Sequence, residues 1–355
     1  MTVDLSADSE ALGRWLTERV IGARSVRIDG FTAPKSGYSA ETLMVDAVVT
    51  AADGERAERF VLRRETADPA IYPLQAPGLD VEVAIQYRAM HAIATHSTVP
   101  IAPLIGYESD PSILGAPFFV MGFVDGEVPV ESPSYVREGF FHDAAPADRW
   151  RLIEGGLRVL ADVHRIDWPH AGLDWLNPPG TVPGTARQLA IWEAYAHREL
   201  GDRKHPLLDR GFAWLHRHLP ADREIALAWG DPRPGNMIWR DFRCVCVTDF
   251  EAVSLAPPEY DLGWWLMFDQ WSHESKGIDR LPGEPGLDEQ RSLYAEALGR
   301  DVGDTHYYEV LAAARYCAIV VRVMTRTVAR GQIPFDHSFW LDNPSTRCLE
   351  ALLDG

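Results

Sequence analysis

Trp229-Gly230-Asp231-Pro232-Arg233-Pro234-Gly235-Asn236 and, after a short apolar stretch, Thr248-Asp249-Phe250-Glu251 decide how this 355-residue chain is read. Gly and Pro punctuate the first of these, which makes it a loop. From one short loop, Asp231 and Asn236, five residues apart, can project toward a common point. There the acid can receive a hydroxyl proton and the amide oxygen can bind a metal. Asp249 lies 18 residues beyond Asp231. Between them, Met237-Ile238-Trp239 and Val245-Cys246-Val247 read as two short strands joined by the polar turn Arg240-Asp241-Phe242-Arg243. A hairpin of that length returns Asp249 to the side of Asn236. An oxygen pair from Asn and Asp suits Mg2+, a hard cation that keeps several waters and bridges nucleotide phosphates. A lone acid and amide at this spacing reads as a simple turn; the combined spacing with the second acid, together with the matches upstream, turns the pattern toward phosphoryl transfer.

The combination resembles the catalytic loop and metal-binding segment of the aminoglycoside phosphotransferase and choline kinase-like family, small-molecule relatives of the protein kinases. That family reads His-Gly-Asp, an Asn five residues after the Asp, a hydrophobic strand ending in Asp, then Tyr-Asp-Leu/Ile. Here these are Trp229-Gly230-Asp231, Asn236, Asp249 and Tyr260-Asp261-Leu262. The resemblance implies Asp231 as catalytic base, Asn236 and Asp249 as metal ligands, and Asp261 as a buried anchor. Trp229 stands where the family usually has the His that supports the loop by packing and hydrogen bonding. The implied fold is α+β and protein-kinase-like. It has an N-lobe over residues 1–124, with an antiparallel five-stranded sheet and one helix, and a mostly helical C-lobe over 125–355. ATP and Mg2+ are the implied cofactors, and a hydroxyl of a small molecule is the implied acceptor.

Working outward, the pattern agrees with that order. Leu12, Trp15, Leu16 and Val20 share one face of a helix over about 8–21. Strands are expected at Ser25 to Phe31, Thr42 to Thr50 and Arg59 to Arg64, a helix from about Asp80 to Thr95, then strands at Ile101 to Tyr107 and Phe118 to Met121. In the first strand-to-strand turn, Ser36, Gly37 and Ser39 are placed to cover nucleotide phosphates with backbone N–H groups and hydroxyls. At the third strand, where kinases carry a lysine, alternation puts Arg63 on the cleft face. Arg grips phosphate bidentately, so the exchange is chemically tolerable. Its partner on the following helix is either Glu82 or Gln86. In Phe118-Phe119-Val120-Met121-Gly122-Phe123-Val124-Asp125-Gly126 the resemblance implies a hinge. Gly122 carbonyl and Val124 N–H would read adenine, with Met121 behind the purine.

Beyond Gly126, helices are expected at Asp148 to Ile166 with Asp148 as cap, Tyr307 to Arg330 and Pro344 to Leu353. His164 reads as a hydrogen-bonded structural residue. Two loop-rich segments, Trp168 to Gly184 and Asp269 to Leu287, hold Trp175, Trp271, His273, Glu274 and Asp279. These fit either an acceptor pocket or helix packing.

A formal net charge of -18 excludes the electrostatics of nucleic-acid binding. That charge suits either a polycationic acceptor or plain solubility. No apolar run approaches the roughly 18 residues of a membrane span, and the first residues lack the basic and apolar blocks of a secretory signal, so the expected location is cytoplasmic. Cys244, Cys246, Cys317 and Cys348 form no metal-ligand spacing. Two other readings stay open. Val61-Leu62-Arg63 and the hinge look close to kinase-like domains fused to acyl-CoA dehydrogenases, which would make a hydroxyacyl thioester the acceptor. Trp229, Arg63 and Gln86 fit a nucleotide-binding module without turnover.

Overall fold

The computed structural model describes residues 6–33, 40–68, 70–76 and 78–355. Strict alternation along β2 (Glu41–Ala51) buries Leu43, Val45, Ala47 and Val49 on one face. It pairs with β3 (Gly54–Arg64) through unbroken antiparallel register from Glu41↔Arg64 to Ala51↔Gly54. β1 (Ala23–Thr32), β4 (Leu104–Glu108) and β5 (Phe118–Gly122) complete an antiparallel sheet in the order β1-β2-β3-β5-β4. Helix α1 (Ser6–Thr17) buries Leu12, Trp15 and Leu16 against that sheet. It stops short of the expected end because Thr17 Oγ1 bonds Gly13 O at 2.7 Å and accepts Val26 N–H at 2.9 Å, tying the helix end to β1. Helix α2 (Glu82–His96) and the single turn α3 (Pro111–Leu114) finish this lobe.

The rest is mostly helical. It comprises α4 (Phe140–Asp143), α5 (Pro146–His164), α6 (Thr185–Leu200), α7 (Pro206–Arg217), α8 (Pro258–Ser272), α9 (Leu287–Leu298), α10 (His306–Ala329) and α11 (Pro344–Asp354). The expected cap at Asp148 is displaced to Ala145, because Pro146 takes the first helical position where its missing N–H costs nothing. Asp148 pairs instead with Arg151. Helices α6 to α9 were not foreseen. Helix α8 is buried nearly all round, from Pro258 to Asp269, so no one-sided stripe marks it.

Four short strands set the floor between the lobes. β6 (Ala226–Ala228) pairs with β9 (Ser254–Ala256), and β7 (Met237–Arg240) pairs with β8 (Arg243–Val247). The β7–β8 turn uses Asp241 and Phe242, both at positive φ, which matches strand twist in a two-residue hairpin. The segment after β5 is stitched to this floor by reciprocal bonds between Glu127 and Trp239, each 2.8 Å. Gly126 is required there, since a Cβ would lie 2.6 Å from Trp239 O. Among the described residues no helix is long and apolar enough to cross a membrane.

Candidate active site

The loop after β6 is held from beneath. Asp261, at the start of α8 and fully buried, accepts the Trp229 N–H at 2.6 Å and the Gly230 N–H at 3.0 Å, and lies 3.1 Å from His164 Nε2. The His164 ring bonds Tyr294 on its other side. Gly230 has φ +91 and a Cβ would sit 2.1 Å from Ala252 O, so only glycine fits this bend. Trp229, in the position of the missing His, sends its indole N–H to Thr248 O and Asp249 O, 3.0 Å each. The loop support is therefore present, supplied by an indole donor.

Asp231 is buried, and four side chains converge on its carboxylate. Oδ1 accepts from Trp264 Nε1 at 2.7 Å, and Oδ2 from Asn236 Nδ2 at 2.7 Å and Tyr72 Oη at 3.0 Å. Arg233 Nε lies 3.0 and 3.1 Å from the two oxygens, while its Nη1 pairs with Glu131 and its plane covers Phe268. Burial, which outweighs the bonds from Asn236, Trp264 and Tyr72, pushes this carboxyl up to about 7. A carboxyl with that value is a proton acceptor poised near neutrality.

Asn236 spends its amide hydrogens on Asp231, on the main-chain O at 3.0 Å and on Oδ2. This leaves the amide oxygen as the group offered to a cation. Its carbonyl takes the Thr248 N–H and Oγ1, both 3.0 Å, which brings the end of β8 to the loop. Asp249 follows in the left-handed region, φ 57, with its side chain about 34% exposed. Asp tolerates that conformation better than most residues.

Arg63, on β3, donates to Asp249 Oδ1 at 3.0 Å and to Glu251 Oε1 at 2.7 Å. The two partners considered from sequence are placed differently. Glu82 accepts from Ala40 N–H at 3.0 Å and Gln86 Nε2 at 3.4 Å, and acts on Arg63 electrostatically. Three carboxylates thus surround one guanidinium, and the surplus negative charge fits a divalent cation. Oxygen donors from Asn236 and Asp249 are of the hard type that Mg2+ takes. Met121 and Gly122 lie at the end of β5, opposite Val61 and Phe60 of β3, and Val124 follows them half-buried. Ser36, Gly37 and Ser39 lie outside the described residues.

Sequence reasoning missed Tyr72, Arg233, Glu251, Trp264 and Arg315. Arg233 and Glu251 sit inside the two diagnostic stretches and were legible as charges beside the acids. Tyr72, Trp264 and Arg315 carry no local signal. Arg315, fully buried on α10, donates to Gly230 O at 2.7 Å inside a cage of Trp192, Tyr260 and Trp264 rings, 4.1–4.8 Å away. Of the acceptor-pocket candidates, Glu274 is exposed and pairs with Arg280. Trp175 faces Arg88, Trp271 packs tilted against Phe268 and edge-on against Tyr316, and His273 is buried beside Glu284 and Ile278 O.

The phosphotransferase enzyme family profile matches residues 31–291, well over half of the chain, and the chain belongs to that family. Among curated relatives, acyl-CoA dehydrogenase family member 11 of Rattus norvegicus is 26% identical over 285 residues, 76% of this chain. This chain spans only about a third (34%) of that relative's length. A Ralstonia eutropha protein described as a candidate aminoglycoside phosphotransferase superposes with a TM-score of 0.71 at 24% identity, covering 97% of this chain and 98% of that one. The enzyme of the streptomycin-ATP-APH(2")-IIa ternary complex does so with a TM-score of 0.54 at 12% identity, covering 91% of each chain. At these identities the superpositions establish the fold.

Proposed function

We propose that this chain moves the γ-phosphoryl group of ATP to a hydroxyl of a small molecule, with Asp231 as base. The observation that carries the reading is the convergence on one floor of a buried carboxylate tuned to about 7 and two hard oxygen donors, beside an arginine. Asp231 orients the acceptor hydroxyl and takes its proton as the acceptor oxygen bonds to the γ-phosphorus and the bond from that phosphorus to the β,γ-bridging oxygen breaks, releasing ADP. Asn236 keeps Asp231 aimed through its amide hydrogens and turns its oxygen to the metal side. Asp249 is held there by the bond from the Trp229 indole N–H to its main-chain oxygen. Arg63 exchanges part of its carboxylate pairing for phosphate oxygens. Mg2+, when bound with the triphosphate, neutralises charge on the β- and γ-phosphate oxygens. Positioning and electrostatics supply nearly all the rate in such chemistry.

The fold match to an enzyme crystallised with ATP and streptomycin supports the nucleotide assignment. Similarity to acyl-CoA dehydrogenase family members favours a second acceptor class, hydroxyacyl thioesters. A coupled ADP-release screen with Mg-ATP against aminoglycosides, macrolides, amino alcohols, sugars and hydroxyacyl-CoAs decides between them. A responder among the thioesters selects the second class. Absence of both ADP release and a Mg-ATP thermal shift rejects the assignment, whereas a thermal shift without any release leaves a nucleotide-binding module.

A further inference from the structure

We propose that Tyr72 holds the place of the acceptor hydroxyl on Asp231, and that residues 70–76 must leave the helical lobe before an acceptor binds. The inference rests on the phosphotransferase reading and adds to it how the site admits its substrate.

A base that accepts a substrate hydroxyl needs that hydroxyl within hydrogen-bond reach of a carboxylate oxygen. Tyr72 Oη already fills such a position, 3.0 Å from Asp231 Oδ2, the oxygen that Asn236 also holds. The tyrosine comes from the connection between β3 and α2, not from the loop it contacts. That connection is fastened to the helical lobe over consecutive residues. Ala70 O accepts from Arg322 on α10, and Ile71 O from Tyr195 on α6. Gln75 receives Gln188 Nε2 at 2.8 Å on its side chain and Arg187 on its carbonyl. The Tyr72 ring meets Trp192 of α6 edge-on at 6.4 Å.

Behind the segment lies a small cavity walled by Tyr72, Glu82, Leu176 and Glu251, so lifting it joins the space beside Asp231 to the side where Arg63 sits. Tyr72 itself is only partly buried, so an entering molecule can compete for it from solvent. Two of the fastenings, Tyr195 to Ile71 O and Gln188 to the Gln75 side chain, are neutral hydrogen bonds, and two, from Arg322 and Arg187, are charge-assisted bonds to main-chain oxygens on the segment. A substrate that brings its own hydroxyl and fills the space can exchange them.

The test uses the full chain, Mg-ATP and no acceptor, so that water is the only hydroxyl available. Tyr72→Phe keeps the ring and removes the hydroxyl from Asp231, and Tyr72→Ala also makes room. Both are expected to raise acceptor-free ADP release by roughly two- to tenfold, the equivalent of one neutral hydrogen bond. Tyr195→Phe, which loosens Ile71 without touching Asp231, is expected to give a smaller rise, with faster amide exchange across residues 70–76. A tyrosine that merely supports the base predicts the opposite sign. Unchanged or slower release in Tyr72→Phe and Tyr72→Ala, with the Mg-ATP thermal shift retained, overturns the proposal. Loss of any Mg-ATP thermal shift in the unaltered protein is a different result and overturns the phosphotransferase reading itself.

Discussion

Asp231 and Asp249 are the same residue type 18 positions apart, yet their surroundings prepare them for different work. Asp231 is buried and mostly met by neutral donors, an indole, a phenol and an amide, with Arg233 along its edge. Burial is the dominant influence and favours the protonated form, which makes a carboxyl able to take a proton near neutral pH. Asp249 keeps about a third of its side chain in solvent and faces a full guanidinium. It is a group that meets cations. The difference teaches that role follows from desolvation and partner charge, not from residue identity.

The comparison can be broken most directly at its exposed half. Asp249→Ala is expected to reduce Mg-dependent ADP release by roughly 10³-fold or more, because it removes an electrostatic contact to developing charge. Appreciable release at saturating Mg2+ in this variant would place the metal elsewhere. At the buried half, Asp231→Asn is expected to lower turnover by roughly 10²–10⁴ while the Mg-ATP thermal shift persists.

The same variant sharpens the electrostatic contrast through pH. A carboxyl whose folded value is raised loses folded-state stability as pH climbs from its unfolded value to about 7. Asp231→Asn lacks that burden. Its Tm relative to the unaltered chain is therefore expected to rise between about pH 4 and about pH 7, and wild-type turnover is expected to climb through about pH 7. A Tm difference that stays flat with pH would show that burial does not tune this group.

The smallest effect concerns the link between the halves. Trp229→Phe keeps the packing and removes the donor shared by Thr248 O and Asp249 O. The expected cost is about 1–3 kcal/mol of stability, with turnover lowered about tenfold. Steady-state kinetics beside thermal melts would check it, and a normal rate in a folded variant would show that Asp249 needs no support from the loop.

What was legible in the chain was local. The loop and hairpin carry their own grammar, with Gly and Pro at the bends, an apolar strand on either side and polar groups at fixed offsets. For the same reason the alternation of β2 and β3 placed the sheet, while the end of α1 and the cap of α5 were misplaced by features that compete with periodicity, the Thr17 bonds and Pro146. Helix α8 was invisible because a helix buried on every side has no polar face to give its period away.

The sequence by itself determined the order of strands and helices in the sheet-bearing lobe and the three oxygen-bearing side chains at 231, 236 and 249, since each depends on spacing within a short stretch. Tertiary structure alone decided that Arg63 pairs with Asp249 and Glu251, that the Trp229 indole donates to Thr248 O and Asp249 O, and that Tyr72 and Trp264 meet on one carboxylate. Those contacts join residues separated by up to 188 positions, and nothing in local periodicity encodes which distant side chains packing will bring within 3 Å of each other.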